Sequence, residues 1–319
     1  MIPKKKDQYR IRNWKEYSRS LVNRGSITFW FEENAALKWY SVERTHKPGR
    51  PETYSDDAIR CGLMIKAVFR TALRFLQGFV DSIIQLLKLP LTCPHYSLFS
   101  RRAKDLKIPM RKLLKPGEKL NVIFDSTGVK VFGEGEWKVR KHGYSKRRTW
   151  RKIHVGMCAD SGQAVVSGIT SNGVSDDEAM PHLMEALEGV PLGDVIGDGA
   201  YDTTDCRQAI HDYGGRQIIP PDRNAKIQKK NPLPCLQARD EAIRRIQELG
   251  EEGRAGWKKE MGYHQRSRVE TLMFRYKTLL GDRLSSRKES TQATEVAIKL
   301  DVLNRMIELG MPKCYKLVS

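Results

Sequence analysis

No two cysteines of this 319-residue chain stand at CxxC spacing. The six, Cys61, Cys93, Cys158, Cys206, Cys235 and Cys314, are scattered, which argues against structural zinc. No apolar run approaches the ~20 residues that a membrane span needs. The basic start MIPKKKDQYR is followed by no apolar stretch, so no secretory leader is expected. GxGxxG, a P-loop and a nucleophile elbow are all missing, which disfavours the common metabolic α/β enzymes. Internal repeats and low-complexity tracts are missing too. Acids are in the minority: 38 Asp and Glu face 57 Lys and Arg, a net charge of +19. Such an excess favours a polyanionic partner. Nucleic acid is preferred to a membrane surface, because no long basic amphipathic helix is present. Free thiols and the missing leader predict a soluble protein of a reducing, cytoplasmic interior with no membrane partner.

At this length the chain forms one large domain or two ordinary ones. Residues 1–54 read as a basic, aromatic segment ending in the breaker-rich linker HKPGRPETYS. A helical domain is expected over 55–115, with Ser55 as N-cap and Asp56 and Asp57 in the first turn. Gly78 is a candidate break in its long apolar repeat, and Pro90 a stop. A following short helix, HYSLFSRRAKDL, carries Arg101 and Arg102. Helix, break and helix are compatible with helix-turn-helix geometry, which makes both arginines candidate DNA contacts, with plain bundle packing as the alternative.

From Leu120 the pattern changes. LNVIFDSTGVKVFG, TWRKIHVGMCAD and QAVVSGITSN read as strands, the last two joined as a hairpin by DSGQ. Helix, strand, helix, strand and helix follow, interrupted by a polar insertion at 222–256. This order predicts an α/β domain over 116–319 with a mixed sheet flanked by helices.

Two acids stand out within it. Asp125 follows Val122, Ile123 and Phe124 in a strand, where an unpaired charge is costly. Asp198 lies between glycines at the C-terminal end of the fourth strand, where α/β folds gather ligands. A third comes from YHQRSRVETLMFRYK, residues 263–277, taken as part of one long helix from Trp257 to Asp282. At about 100° per residue, Arg266, Glu270 and Lys277 fall roughly −60°, −20° and −40° from Tyr263, on one face. Three carboxylates without His or Cys suit Mg²⁺, with Mn²⁺ as a substitute, and would be metal ligands at Asp125, Asp198 and Glu270. Two such ions roughly 4 Å apart support in-line displacement at phosphorus. Arg266 and Lys277 can then hold phosphates, and Tyr263 can stack on a base or donate to a phosphate.

The spacing Tyr263, Arg266, Glu270, Lys277 matches the Y-(2)-R-(3)-E-(6)-K motif. With IFDSTGVKV and IGDGAYD, the chain resembles the IS-five group of bacterial insertion-sequence DDE transposases over about 120–310. GRPETYSDDAI at 49–59 resembles that group's N-terminal region more weakly. The resemblance implies an RNase H-like catalytic core with Asp125, Asp198 and Glu270 as its catalytic triad. It implies double-stranded DNA as partner, both terminal inverted repeats and target. The 3′-OH exposed at an element end would be joined to target DNA within a dimer or larger assembly, associated with the bacterial nucleoid. A plain RNase H-like nuclease and a catalytically idle DNA-binding regulator are the competing readings.

The stretch EWKVRKHGYSKRRTWRK, 136–152, concentrates cations between two strands. Lys146, Arg147 and Arg148 are expected DNA-backbone contacts there. His154 is expected to pack or hydrogen-bond within its strand, and His264 to lie off the active face. Asp202, Asp205, Asp176 and Asp177 read as helix-start acids.

Overall fold

A computed structural model describes residues 9–31, 37–41, 52–108, 117–131, 150–229 and 232–317. In chain order its elements are β1 (Tyr9–Ile11), α1 (Trp14–Asn23), α2 (Ile27–Trp30), α3 (Asp56–Phe69), α4 (Leu73–Leu86) and α5 (Tyr96–Arg102). Then come β2 (Leu120–Val131), β3 (Trp150–Cys158), β4 (Ala164–Ser171), α6 (Asp176–Glu185), β5 (Leu192–Ile196), α7 (Thr204–Asp212) and β6 (Arg216–Ile218). The chain continues through α8 (Gln237–Glu248), α9 (Gly253–Glu260), α10 (Ser267–Leu280), β7 (Arg283–Leu284), α11 (Glu289–Leu309) and β8 (Cys314–Lys316). Among the described residues, no helix is long and apolar enough to cross a membrane.

The chain divides into two units, Met1–Arg102 with Val302–Ser319, and Ala103–Asp301. In the first, β1 and β8 pair antiparallel. Ser55 caps α3 as its position suggests, its side chain accepting from the Ala58 N–H. The break in the apolar repeat is not at Gly78, which lies inside α4. It falls at Arg70, whose left-handed φ of 50° closes α3. The turn is therefore set by the capping geometry at 70–72, and Gly78 is a tolerated helical glycine. Trp30 and Trp39 are fully buried, and each satisfies its indole N–H on a backbone carbonyl, of Arg24 and Thr92.

The second unit is built on a mixed sheet ordered β4-β3-β2-β5-β6. β2, β3 and β4 form an antiparallel meander; β5 and β6 run parallel to β2. β7 pairs with the far end of β2. The hairpin reading of DSGQ holds, with Gly162 at φ 77°. Three meandering strands followed by two parallel βα units are an RNase H-like α/β arrangement. Leu120, Val122 and Phe124 pack with Met180, Leu183 and Met184 of α6 and Ile210 of α7. Because strand side chains alternate, Ile123 and Asp125 point to the other face, against which α10 packs.

The expected long helix from Trp257 to Asp282 is in fact broken. α9 stops at Glu260, Gly262 takes φ 63°, and Tyr263–Arg266 is a short 3₁₀ turn before α10. A left-handed glycine ends α-helical geometry wherever it occurs. One continuous helical face therefore does not carry Tyr263 and Lys277 together.

Candidate active site

β2 and β5 bring the first two acids to one level. Their parallel register pairs Ile123 with Ile196, and Asp125 and Asp198 each stand two residues further on. Asp198 is extended and caps the 3₁₀ turn Gly199–Tyr201, its Oδ1 accepting from the Ala200 N–H at 2.9 Å. Gly197 permits this exit, since a Cβ there would lie 2.8 Å from the folded-back Tyr201 ring. Gly199 meets no such crowding; its nearest neighbour, the Pro220 carbonyl oxygen, would be 3.9 Å from a Cβ.

Glu270 enters from the first turn of α10. Its partner is Arg266, which donates to the Glu270 carboxylate and also reaches Asp198 Oδ2 at 3.4 Å. The guanidinium thus bridges two of the three acids. Burial raises the pKa of Asp125, and the nearby Asp198 and Glu270 carboxylates add to the rise. The Ser126 backbone N–H, 2.9 Å from Asp125 Oδ1, and the Arg266 charge oppose it. Burial alone would lower Arg266, but Asp125, Tyr263, Asp198 and Glu270 together raise it. Tyr263 is pushed up first by burial, with Asp198, Asp125 and Glu270 adding to the effect against Arg266. Five of the residues singled out in the sequence, Asp125, Asp198, Tyr263, Arg266 and Glu270, therefore feel one another's charge. Lys277 is half-buried further along α10 and has no ion pair among the described residues.

Behind the sheet lies a polar cluster that sequence reading missed. Asp176 Oδ1 accepts from Ser126 Oγ at 2.8 Å and from Lys152 Nζ at 3.2 Å. His154 is buried, with Nε2 2.8 Å from Thr170 Oγ1 and Nδ1 3.7 Å from Asp176. Burial lowers the His154 pKa; Asp176 opposes this and Lys152 reinforces it. An imidazole lowered on folding binds fewer protons than in the unfolded chain. Stability is therefore full above the unfolded value and falls as pH drops below ~6.5, by up to about 1.4 kcal/mol per pH unit until the folded value is reached. Unfolding titrations at pH 5–8 should show a shallower loss in His154→Asn than in the native chain. Equal slopes would contradict this assignment.

Asp202 is not merely a helix-start acid. Thr203 caps α7, while the Asp202 side chain is 2% exposed and pairs with Arg207 at 2.6 Å. Its other oxygen accepts from the Asp222 N–H. Arg207 is likewise buried and donates to Gln217 Oε1 and the Ile219 carbonyl. This network clamps the segment that follows Asp198 onto β6. Only the spacing of Asp202 and Arg207, five residues apart, hinted at it.

Residues 116–305 match a family model described as a transposase DDE domain, over more than half of the chain. The chain belongs to the DDE transposase family. Residues 22–134 match a second family model of the same description. A solved structure similar to this transposase is the piggyBac transposase synaptic complex with hairpin DNA. The identity is 13% and the TM-score 0.43, covering 90% of this chain and 76% of that one.

DDE transposases generally use divalent metal ions. The three carboxylates are the hard oxygen donors that such ions take. Among the described residues, however, no three His, Cys, Asp or Glu side chains stand in ready metal-binding geometry. Arg266 stands between two of the acids, pairing with Asp198 Oδ2 at 3.4 Å and with the Glu270 carboxylate. By its chemistry the donor set suits a divalent cation.

Elsewhere in the transposase, Arg101 is exposed at the end of α5. Arg102 is engaged within its own unit, donating to the Tyr54 carbonyl and pairing with Glu52 and Asp56. Its side chain is half-buried, and both acids that hold it are exposed. Lys146, Arg147 and Arg148 lie outside the described residues.

Proposed function

We propose that this transposase binds the terminal inverted repeats of its element, hydrolyses a phosphodiester at each end and joins the resulting 3′-OH to target DNA. The convergence of Asp125, Asp198 and Glu270 around Arg266 is the observation that carries this reading. In it, Asp125, Asp198 and Glu270 hold Mg²⁺, or Mn²⁺ in its place. When bound, such ions activate the attacking oxygen and offset charge on the leaving one. Arg266 exchanges its carboxylate partners for a DNA phosphate, a swap its planar, multidentate guanidinium is suited to make. Tyr263 stays protonated well into alkaline solution, because burial and three acids raise it, and so can donate to a phosphate oxygen. Lys277 extends the phosphate contact along α10. Arg101 and Arg102 contribute backbone contact from the helical unit, the pairs of Arg102 with Glu52 and Asp56 holding α5 in place. Lys146, Arg147 and Arg148 add further contacts with the DNA backbone. Two ends must be held together, so the working form is a dimer or larger assembly.

The test uses purified protein and labelled DNA carrying the repeat that flanks the gene, with a target plasmid, in Mg²⁺ or in EDTA. The expected result is metal-dependent nicking at the repeat boundary, then label joined to the plasmid. Nicking without joining at any protein concentration would move the reading to a nuclease. Binding without either would leave a DNA-binding regulator.

A further inference from the structure

The segment after β6 has no role in the proposal above. It leaves the sheet at the same edge as Asp198, because β5 and β6 run parallel, with Val195 beside Gln217 and Ile196 beside Ile218. It is irregular in secondary structure yet held at several points. Asp202 Oδ2 accepts from the Asp222 N–H. Arg254 of α9 donates to the carbonyls of Pro221 and Asp222. Asp222 Oδ1 accepts from the Asn224 N–H at 2.8 Å. Further on, Gln228 donates from its backbone and its side chain to the buried Asp240, and accepts from the Leu233 N–H.

Between these anchors Arg223, Lys226 and Lys229 are exposed, and none has an ion-pair partner among the described residues. A loop that orders on binding loses free energy in doing so; one braced in advance avoids that cost. Both anchoring elements also belong to the site. Asp202 follows the turn that carries Asp198. α9 bears Arg254 and also Lys258, whose ammonium lies 4.9 Å from the centre of the Tyr263 ring.

We infer that residues 222–229 form a preformed strap that binds backbone phosphates of duplex DNA on the Asp198 side of the site, through Arg223, Lys226 and Lys229. The inference rests on the reading of DNA as substrate. It adds a contact surface separate from Tyr263, Arg266 and Lys277. Its chemistry is recognition of a row of phosphates without base readout, since three cations on irregular backbone offer charge and no base-edge pattern.

The test measures binding of the full chain to a synthetic duplex by fluorescence anisotropy. Salt runs upward from about 0.1 M, where charges beyond a Debye length of ~10 Å no longer contribute. Neutralising three phosphate-bound cations in Arg223→Gln/Lys226→Gln/Lys229→Gln should reduce the magnitude of the negative slope of log K against log salt by about 2.7. The charge-keeping swap Arg223→Lys/Lys226→Arg/Lys229→Arg should restore the native slope. Gln228→Ala cuts two anchors and keeps every cation; it should weaken binding roughly threefold to tenfold by loosening the strap, with the slope kept. An unchanged slope in the triple glutamine variant, with native binding intact, would overturn the strap and leave the transposase reading standing. Unchanged affinity in Gln228→Ala would overturn the preformed character. Failure of the native chain to bind any duplex would overturn the transposase reading itself.

Discussion

Asp125→Asn, Asp198→Asn and Glu270→Gln are each expected to abolish DNA cleavage while leaving binding of the DNA end intact. Each substitution keeps size and polarity but removes the charge that a divalent cation needs. Changes in the outer shell of a metal site cost roughly 10–100-fold, so loss of a ligand should exceed about 100-fold in rate. The three losses should not add, because the carboxylates act as one unit. Asp125 is the most informative. It stands on the central strand, its Oδ1 is fixed by the Ser126 N–H, and burial with two neighbouring acids already disfavours its charge. Asp125→Asn relieves that repulsion, so the metal-free variant should be at least as stable as the native chain at neutral pH. A folded, DNA-binding and inactive protein separates a chemical role from a structural one. Cleavage by any of the three variants at near-native rate would remove that residue from the triad.

Arg207→Ala is expected to produce the largest loss of stability. It leaves the Asp202 carboxylate, 2% exposed, without its cation, and strands the acceptors at Gln217 and Ile219. Removing one partner of a buried ion pair costs roughly 3–5 kcal/mol. At about 2–4 °C per kcal/mol for a unit of this size, the melting temperature should fall by roughly 6–20 °C. Removing both charges in Arg207→Met/Asp202→Leu should be less harmful than Arg207→Ala alone, because no unpaired charge remains buried. Differential scanning calorimetry distinguishes these cases. A loss below about 1 kcal/mol in Arg207→Ala would show that the network is dispensable.

Much of the catalytic fold is legible in the chain because its signals are local. The apolar, β-branched run around Asp125, the DSGQ turn and the Ser55 cap each specify an element within a few residues. The order of these elements then limits the sheet to few topologies. Where the reading went astray, the deciding physics was conformational or long-range. Gly262 takes a left-handed conformation that no periodicity reveals, so the Trp257–Asp282 helix breaks just where the motif begins. Arg70 closes α3 although Gly78 has the weaker helix propensity. Asp202 reads in sequence as a helix-start acid and is held in a buried ion pair in the fold. The common level of Asp125 and Asp198 was foreseeable from strand ends, whereas Arg266 standing between Asp198 and Glu270 was not. The i,i+4 spacing suggests its pairing with Glu270 alone.

Mn²⁺ binding followed by electron paramagnetic resonance tests most directly whether Asp125, Asp198 and Glu270 together hold a divalent cation. The native chain is titrated with Mn²⁺ in the presence of duplex DNA, which is expected to draw Arg266 away from the acids, beside Asp125→Asn and Glu270→Gln. The expected result is saturable binding in the native chain, weakened by more than about 100-fold in either variant. Mn²⁺ bound with equal affinity by the native chain and by both variants would place the metal elsewhere and contradict the assignment.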